Sequence, residues 1–112
     1  MKKLQHQNVV RLFEVIDSPT HNHMFLVLEY VAGGSSMEFN HHKDVYASRH
    51  TGGTFPHPRA ARLLTDVLCG LEFLHLNRIC HRDIKPENVL IGEDGRGKLG
   101  DFGVARELPC SG

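Results

Sequence analysis

Apolar positions along the chain change their period twice. From Val9 to Ile16 (VVRLFEVI) β-branched and aromatic residues dominate, and Asp17-Ser18-Pro19 stops the run, which predicts a strand. Met24 to Val31 (MFLVLEYV) predicts a second strand, closed by Ala32-Gly33-Gly34. The connection from Asp17 to His23 has the length of a hairpin loop, so the two strands are expected to pair antiparallel. From Pro58 to Leu76 the spacing becomes helical. Leu64, Val67, Leu68, Leu71 and Leu74 recur at steps of three and four with Leu63 beside them, and this leucine stripe reads as core. Pro58 suits the first turn, Asn77 is the expected stop, and Gly70 is a mild weakness inside the helix. Beyond Asn77 the pattern breaks into short pieces. These are Ile79-Cys80, then Val89-Leu90-Ile91, a turn at Glu93-Asp94-Gly95, and a brief strand at Lys98-Leu99.

The segment from Ser35 to Phe55 departs from both periods. It holds His41, His42, His50, Gly52 and Gly53 and few large apolar residues, so it is expected to be a mobile, solvated insert with one short turn near Met37–Phe39. Its histidines, with His57, fit no common zinc spacing and no cysteine joins them; a solvated insert is the preferred reading over a metal site.

Composition narrows the classes. In 112 residues, 13 Lys+Arg balance 13 Asp+Glu, which argues against nucleic-acid binding by bulk charge and against a polybasic membrane anchor. The longest apolar run, Met24 to Leu28, is far too short to span a bilayer. Cys69, Cys80 and Cys110 are odd in number and widely spaced, which fits a reducing compartment better than a disulfide framework. The expectation is a soluble, intracellular chain.

The chemistry is concentrated in His81-Arg82-Asp83-Ile84-Lys85-Pro86-Glu87-Asn88, followed 18 residues after Asp83 by Asp101-Phe102-Gly103. A carboxylate, an ammonium, a carboxamide and a second carboxylate are the set that phosphoryl transfer requires. A hydroxyl must be oriented, a phosphate neutralised, and magnesium held by hard oxygen ligands. In that scheme Asp83 accepts the hydroxyl proton, Lys85 offsets charge on the moving phosphoryl group, and Asn88 and Asp101 ligate magnesium.

At these residues the chain resembles the eukaryotic protein kinase family, Ser/Thr type. HRDIKPEN is similar to the kinase catalytic loop and Asp101-Phe102-Gly103 to the magnesium-binding triplet. Glu29-Tyr30-Val31-Ala32-Gly33-Gly34 is similar to the hinge. The resemblance implies that backbone groups of Glu29 and Val31 bond the adenine of ATP, that Leu90 lies beneath it, and that Leu28 is the gatekeeper. It also implies that Arg82 serves a phosphorylated activation segment, and that Leu12, His81 and Phe102 belong to the stacked regulatory spine, His81 by packing and backbone hydrogen bonding rather than as a base. The implied fold is α+β, the two-lobed kinase fold in part. Residues 1–31 belong to the small lobe, 32–34 to the hinge, 35–57 to a flexible insert, and 58–112 to the large lobe with the catalytic loop and the start of the activation segment. Implied cofactors are ATP and Mg2+. Implied partners are a protein substrate with Ser or Thr and an activating kinase or regulator, with neither nucleic acid nor membrane. Within the family, Val9–Asp17, Ser35-Ser36-Met37-Glu38, Gly92-Glu93-Asp94-Gly95 and Asp101–Ala105 look most like calcium/calmodulin-dependent kinase kinases and their fungal relatives that activate AMP-activated kinases. The Gly-rich loop, its Lys and the helix-C Glu would precede Met1, so the chain is expected to be the middle of a kinase domain. The alternative is a truncated, non-catalytic fragment that acts at most as a nucleotide-binding or interaction module.

Overall fold

The computed structural model describes residues 5–17, 19–20, 24–100 and 106–107, with the backbone alone at 24 and 106–107. Strand β1 (Leu12–Asp17) pairs antiparallel with β2 (Met24–Leu28). A second hairpin joins β3 (Glu38–Asn40) to β4 (Val45–Ala47). Helix α1 (His57–Leu76) follows, then β5 (Ile79–Cys80) and a 3-10 turn at Pro86–Asn88. The hairpin of β6 (Val89–Ile91) and β7 (Gly97–Leu99) comes next, and β8 (Arg106–Glu107) pairs back onto β5.

Local chemistry explains these bounds. Pro58 sits in the first turn of α1, where a missing N–H costs nothing. The helix ends at Asn77, whose side-chain amide donates to Phe73 O at 2.8 Å. Arg78 then takes the left-handed conformation (φ 64°), and its N–H donates to His75 O at 3.0 Å, a turn that satisfies a carbonyl the helix end would otherwise leave open. Between β6 and β7 the Glu93-Asp94-Gly95 turn closes with Gly95 at φ 82°.

The core lies between α1 and the β6–β7 hairpin. Val9, Val67, Leu74, Val89 and Leu99 are buried together, with Leu71, Phe73 and Ile79 packed around them. Both strands of the hairpin alternate. Val89, Ile91, Gly97 and Leu99 are buried, while Leu90 and Lys98, which pair across the strands, share the opposite face.

Four expectations need correction. The run from Val9 to Ile16 is not one strand. Val9 and Val10 leave the β1 line and lie against β7, with Val10 N donating to Leu99 O and Leu99 N to Asn8 O, both at 2.8 Å. They are buried there, whereas β1 is exposed throughout. β2 likewise ends at Leu28 rather than Val31, because Glu29 turns its backbone and side chain to Arg11. The leucine stripe is only partly core. Leu63, Val67, Gly70 and Leu74 are buried, but Leu64 and Leu68 remain 59% and 57% exposed, on a side of α1 that no described element covers. Finally, the segment from Ser35 to Phe55 holds more than one turn. Phe39 and Tyr46 pair across β3 and β4, and the polar residues 41–44 form the turn between them.

Gly70, read from sequence as a weakness, is a point of close approach. A Cβ at this position would lie 2.7 Å from Asn8 O and 3.1 Å from Leu99 Cδ1, and the first of these is backbone that cannot rotate away. In an open helix Gly→Ala gains about 1 kcal/mol. Here Gly70→Ala should instead cost about 1–3 kcal/mol through overpacking. Denaturant unfolding of the whole protein checks the sign, and an unchanged or raised midpoint would refute the close packing.

Candidate active site

The catalytic-loop motif begins where β5 ends. His81 is 1% exposed and uses both ring nitrogens. Asp83 N donates to Nδ1 at 3.2 Å, so Nδ1 is the acceptor and Nε2 carries the proton that goes to Gly100 O at 2.7 Å. The imidazole is thereby a strut between the loop and the end of β7. Arg82 next to it holds φ 68°, a left-handed conformation uncommon outside glycine and of the kind that clusters at functional sites.

Three of the sequence-derived residues come together at once. Asn88 Nδ2 donates to Asp83 O at 2.8 Å and to Asp83 Oδ2 at 3.1 Å. Lys85 Nζ lies 3.7 Å from the same Oδ2. The 3-10 turn makes this possible, since Asn88 N donates to Lys85 O at 2.9 Å and so folds Asn88 back over the loop. Asp83 and Lys85 keep 35% and 43% of their side-chain surface, so an incoming group can reach both. Nδ2 is committed to Asp83, and the other polar atom of the Asn88 side chain, Oδ1, is a hard oxygen of the type magnesium takes. Asp101, the other expected magnesium ligand, lies outside the described residues, as do Phe102 and Gly103. Its chain neighbour Gly100 is fixed on two sides, donating to Asn88 O at 2.9 Å and accepting from His81. Among the described residues there is no cluster of three His, Cys, Asp or Glu side chains able to hold a metal ion.

Glu29 and Leu90 meet through Lys98. Glu29 N donates to Arg11 O at 2.7 Å, its carboxylate accepts from Arg11 N at 3.1 Å, and Lys98 Nζ donates to the other carboxylate oxygen at 2.6 Å. Lys98 stands beside Leu90 on the face of β6–β7 turned away from α1. Glu29 is thus tied to the hairpin by a partly buried ion pair. Gly33 closes the same junction, because a Cβ there would fall 2.2 Å from Ile91 O. A cavity of about 570 Å³ opens along this junction, lined by Glu29, Tyr30, Val31, Ala32, Gly92, Glu93, Asp94 and Lys98. Glu29 and Val31 are among its walls and Leu90 is not.

Burial works to raise the Glu29 carboxyl, but the hydrogen bond from Lys98, the Arg11 N–H and the charges of both cations outweigh it and hold the group below its ordinary value of 4.5. A depressed carboxyl stabilises the fold above its unfolded value and loses that contribution as pH falls through the lowered folded value. The gap in stability between wild type and Glu29→Gln, measured by denaturant unfolding, should therefore shrink as pH drops below about 4.5. At neutral pH it should be modest, about 1 kcal/mol or less, for a pair that solvent still reaches. A gap constant with pH would detach the ion pair from stability.

Sequence reasoning missed Asn8, which is 1% exposed and donates from Nδ2 to Gly97 O at 2.9 Å. It also missed Ser35, Ser36 and Tyr46. Ser35 Oγ donates to Glu87 O and Ser36 Oγ to Pro86 O, each at 2.8 Å, and Tyr46 Oη donates to Glu87 Oε1 at 3.0 Å. A signal for the hairpin was available in EFN-HHKD-VYA, two short runs with β-forming residues around four polar positions. The serines carried no signal, because their partners lie about fifty residues away, at separations of 52 and 50.

The whole chain, residues 1–112, matches the protein kinase domain family. It is 42% identical over 108 residues to a calcium/calmodulin-dependent protein kinase kinase of Caenorhabditis elegans, covering 96% of this chain and 18% of that protein. It is 41% identical over 106 residues to the serine/threonine-protein kinase GRIK2 of Arabidopsis thaliana, covering 95% and 24%. To the serine/threonine-protein kinase TOS3 of Saccharomyces cerevisiae it is 42% identical over 106 residues, covering 94% and 19%. The chain belongs to the protein kinase domain family, and its α+β architecture is a part of the two-lobed kinase fold. It spans less than a quarter of the length of these relatives. Among the described residues no helix is long and apolar enough to cross a membrane.

Proposed function

We propose that this chain carries the phosphate-acceptor side of an ATP-dependent kinase that phosphorylates Ser and Thr hydroxyls on proteins. The observation that carries the reading is the convergence of Asn88 on Asp83, with Lys85 Nζ 3.7 Å from the same carboxylate oxygen. In this reading Asp83 orients the acceptor hydroxyl and takes its proton, and Lys85 offsets charge on the transferring group. Asn88 and Asp101 would hold magnesium, which would supply charge neutralisation. Backbone groups of Glu29 and Val31 bond the adenine, with Leu90 beneath it. Lys85, two residues past Asp83, favours a Ser/Thr acceptor over a Tyr acceptor. The name of the C. elegans relative, a kinase that acts on a protein kinase, supports an acceptor within another kinase.

The test is transfer of labelled phosphate from Mg-ATP by the full-length protein to Ser/Thr and Tyr peptides in parallel. Asp83-dependent labelling of the Ser/Thr peptide is the expected result. ATP binding without any Asp83-dependent transfer would leave a nucleotide-binding or interaction module.

A further inference from the structure

The β3–β4 hairpin is fastened to the turn that carries Asn88. The 3-10 turn is held from within by only two i→i+3 bonds, Asn88 N to Lys85 O and Val89 N to Pro86 O, so outside contacts help decide where it sits. Asn88 is held by Asp83 and by Gly100 N, while Pro86 and Glu87 are bonded from the segment 35–46. Ser36 Oγ takes the carbonyl of Pro86, Ser35 Oγ takes that of Glu87, and Tyr46 Oη takes the Glu87 carboxylate at 3.0 Å. The backbone adds Ser36 N to Val89 O at 2.6 Å.

The phenol that makes the side-chain bond is itself well placed. Tyr46 pairs across the hairpin with Phe39, and their rings meet edge to face at 5.1 Å. The turn below is set by Asn40 Oδ1, which accepts from His42 N at 3.0 Å and Lys43 N at 3.1 Å, and by Asp44 at φ 56°. Beyond β4, Ser48 is 2% exposed and Ser48 N donates to Gly53 O at 2.8 Å, while His50 Nε2 bonds Gly33 O at 3.0 Å. The hairpin is therefore framed on both sides, and the hydroxyl reaches Glu87 from a fixed base.

We infer that Tyr46 is a positioning residue for the catalytic turn, and that the β3–β4 hairpin is a brace which, through Glu87, fixes Asn88 and hence Asp83. The inference rests on the phosphoryl-transfer reading of the site. Tyr46 does not touch the reacting atoms; it acts through Glu87, one residue from Asn88.

In the full-length protein, Tyr46→Phe removes the hydroxyl and leaves the ring packing. It should lower kcat by about three- to tenfold, the scale of one hydrogen bond to a charged group at a solvated site, with KM for ATP within about twofold. Glu87→Gln keeps an acceptor oxygen and should retain most of the rate. Adding Tyr46→Phe to Glu87→Ala should cost nothing further. Hydrogen–deuterium exchange of the peptide spanning 83–89 should quicken in Tyr46→Phe, whether or not the protein is assayed for activity. Unchanged exchange, or additive losses in the double variant, would overturn the brace. Quickened exchange in a protein whose wild type shows no Asp83-dependent transfer would support the brace while sinking the phosphoryl-transfer reading, so the two ideas fail separately.

Discussion

Replacing Asp83 by alanine in the full-length protein should lower phosphoryl transfer by about two to four orders of magnitude while leaving ATP affinity nearly unchanged. The reasons lie in the geometry. The carboxylate is partly open, faces Lys85, and is steadied from behind by the amide of Asn88. Glu29 and Val31, whose backbone is proposed to bond the adenine, make no contact with Asp83 among the hydrogen bonds described, and Glu29 is joined instead to Arg11 and Lys98. Loss of Asp83 therefore removes the orientation of the hydroxyl without touching the base-binding side. Asp83→Asn separates chemistry from architecture. It retains an oxygen that Asn88 Nδ2 can donate to, so the loop keeps its shape, but an amide cannot take a proton. Both variants should fall together in kcat. A substantial rate in Asp83→Asn alone would mean that the carboxylate matters as a strut and not as a base, and full rate in Asp83→Ala would remove it from the mechanism.

How much of this was legible from the residues depends on how far apart the partners lie. Asp83, Lys85 and Asn88 sit within one loop, so their spacing already implied their meeting, and a single 3-10 turn at Pro86–Asn88 completes it. Helix α1 was equally plain, because a period of three and four over twenty residues is a strong local signal. Its inward side was not, because Leu64 and Leu68 are as apolar as Leu63 and Leu74, and only the placement of β5 and β7 decides which of them is covered. The same holds for Val9 and Val10. Their β-branched chemistry fits a strand, and nothing local says that the strand is β7 rather than β1. Gly70 is the sharpest case. Propensity marks it as a defect, and only the arrival of Asn8 O at the helix surface turns it into a requirement. The hairpin at Glu38–Ala47 was obscured by its histidines and by Gly52 and Gly53 beyond it, which read as solvated chain although Phe39 and Tyr46 are spaced to pair.

The 112 residues expressed by themselves should not unfold as a cooperative unit and should show no phosphate transfer. The described strands are divided among four separate two-stranded sheets, and an isolated hairpin is marginal in water. Among the described residues nothing covers the β1–β2 pair. Leu12, Phe13, Val15 and Ile16 of β1, with Phe25, Leu26, Val27 and Leu28 of β2, remain 38–59% exposed. Leu64, Leu68 and Leu76 add a second uncovered stripe along α1, with Leu76 at 76%. Each large apolar side chain left in water forgoes part of the roughly 1.5–3 kcal/mol that full burial contributes. Several such losses are comparable with the whole ~5–15 kcal/mol margin of an ordinary domain. Size tells the same story, because the radius of gyration is 15.6 Å where a compact chain of this length would have about 13 Å. The surviving core of Val9, Val67, Leu74, Val89 and Leu99 is enough to favour α1 and the β6–β7 hairpin locally, so far-UV dichroism should show helix. The expected species binds a hydrophobic dye, melts over a broad range and self-associates as concentration rises. Covering the two apolar faces is what the rest of a kinase domain would do, so the full-length protein should melt sharply where the isolated chain does not. A steep, single unfolding transition of the isolated chain, with coincident near- and far-UV signals, would show that these faces need no cover.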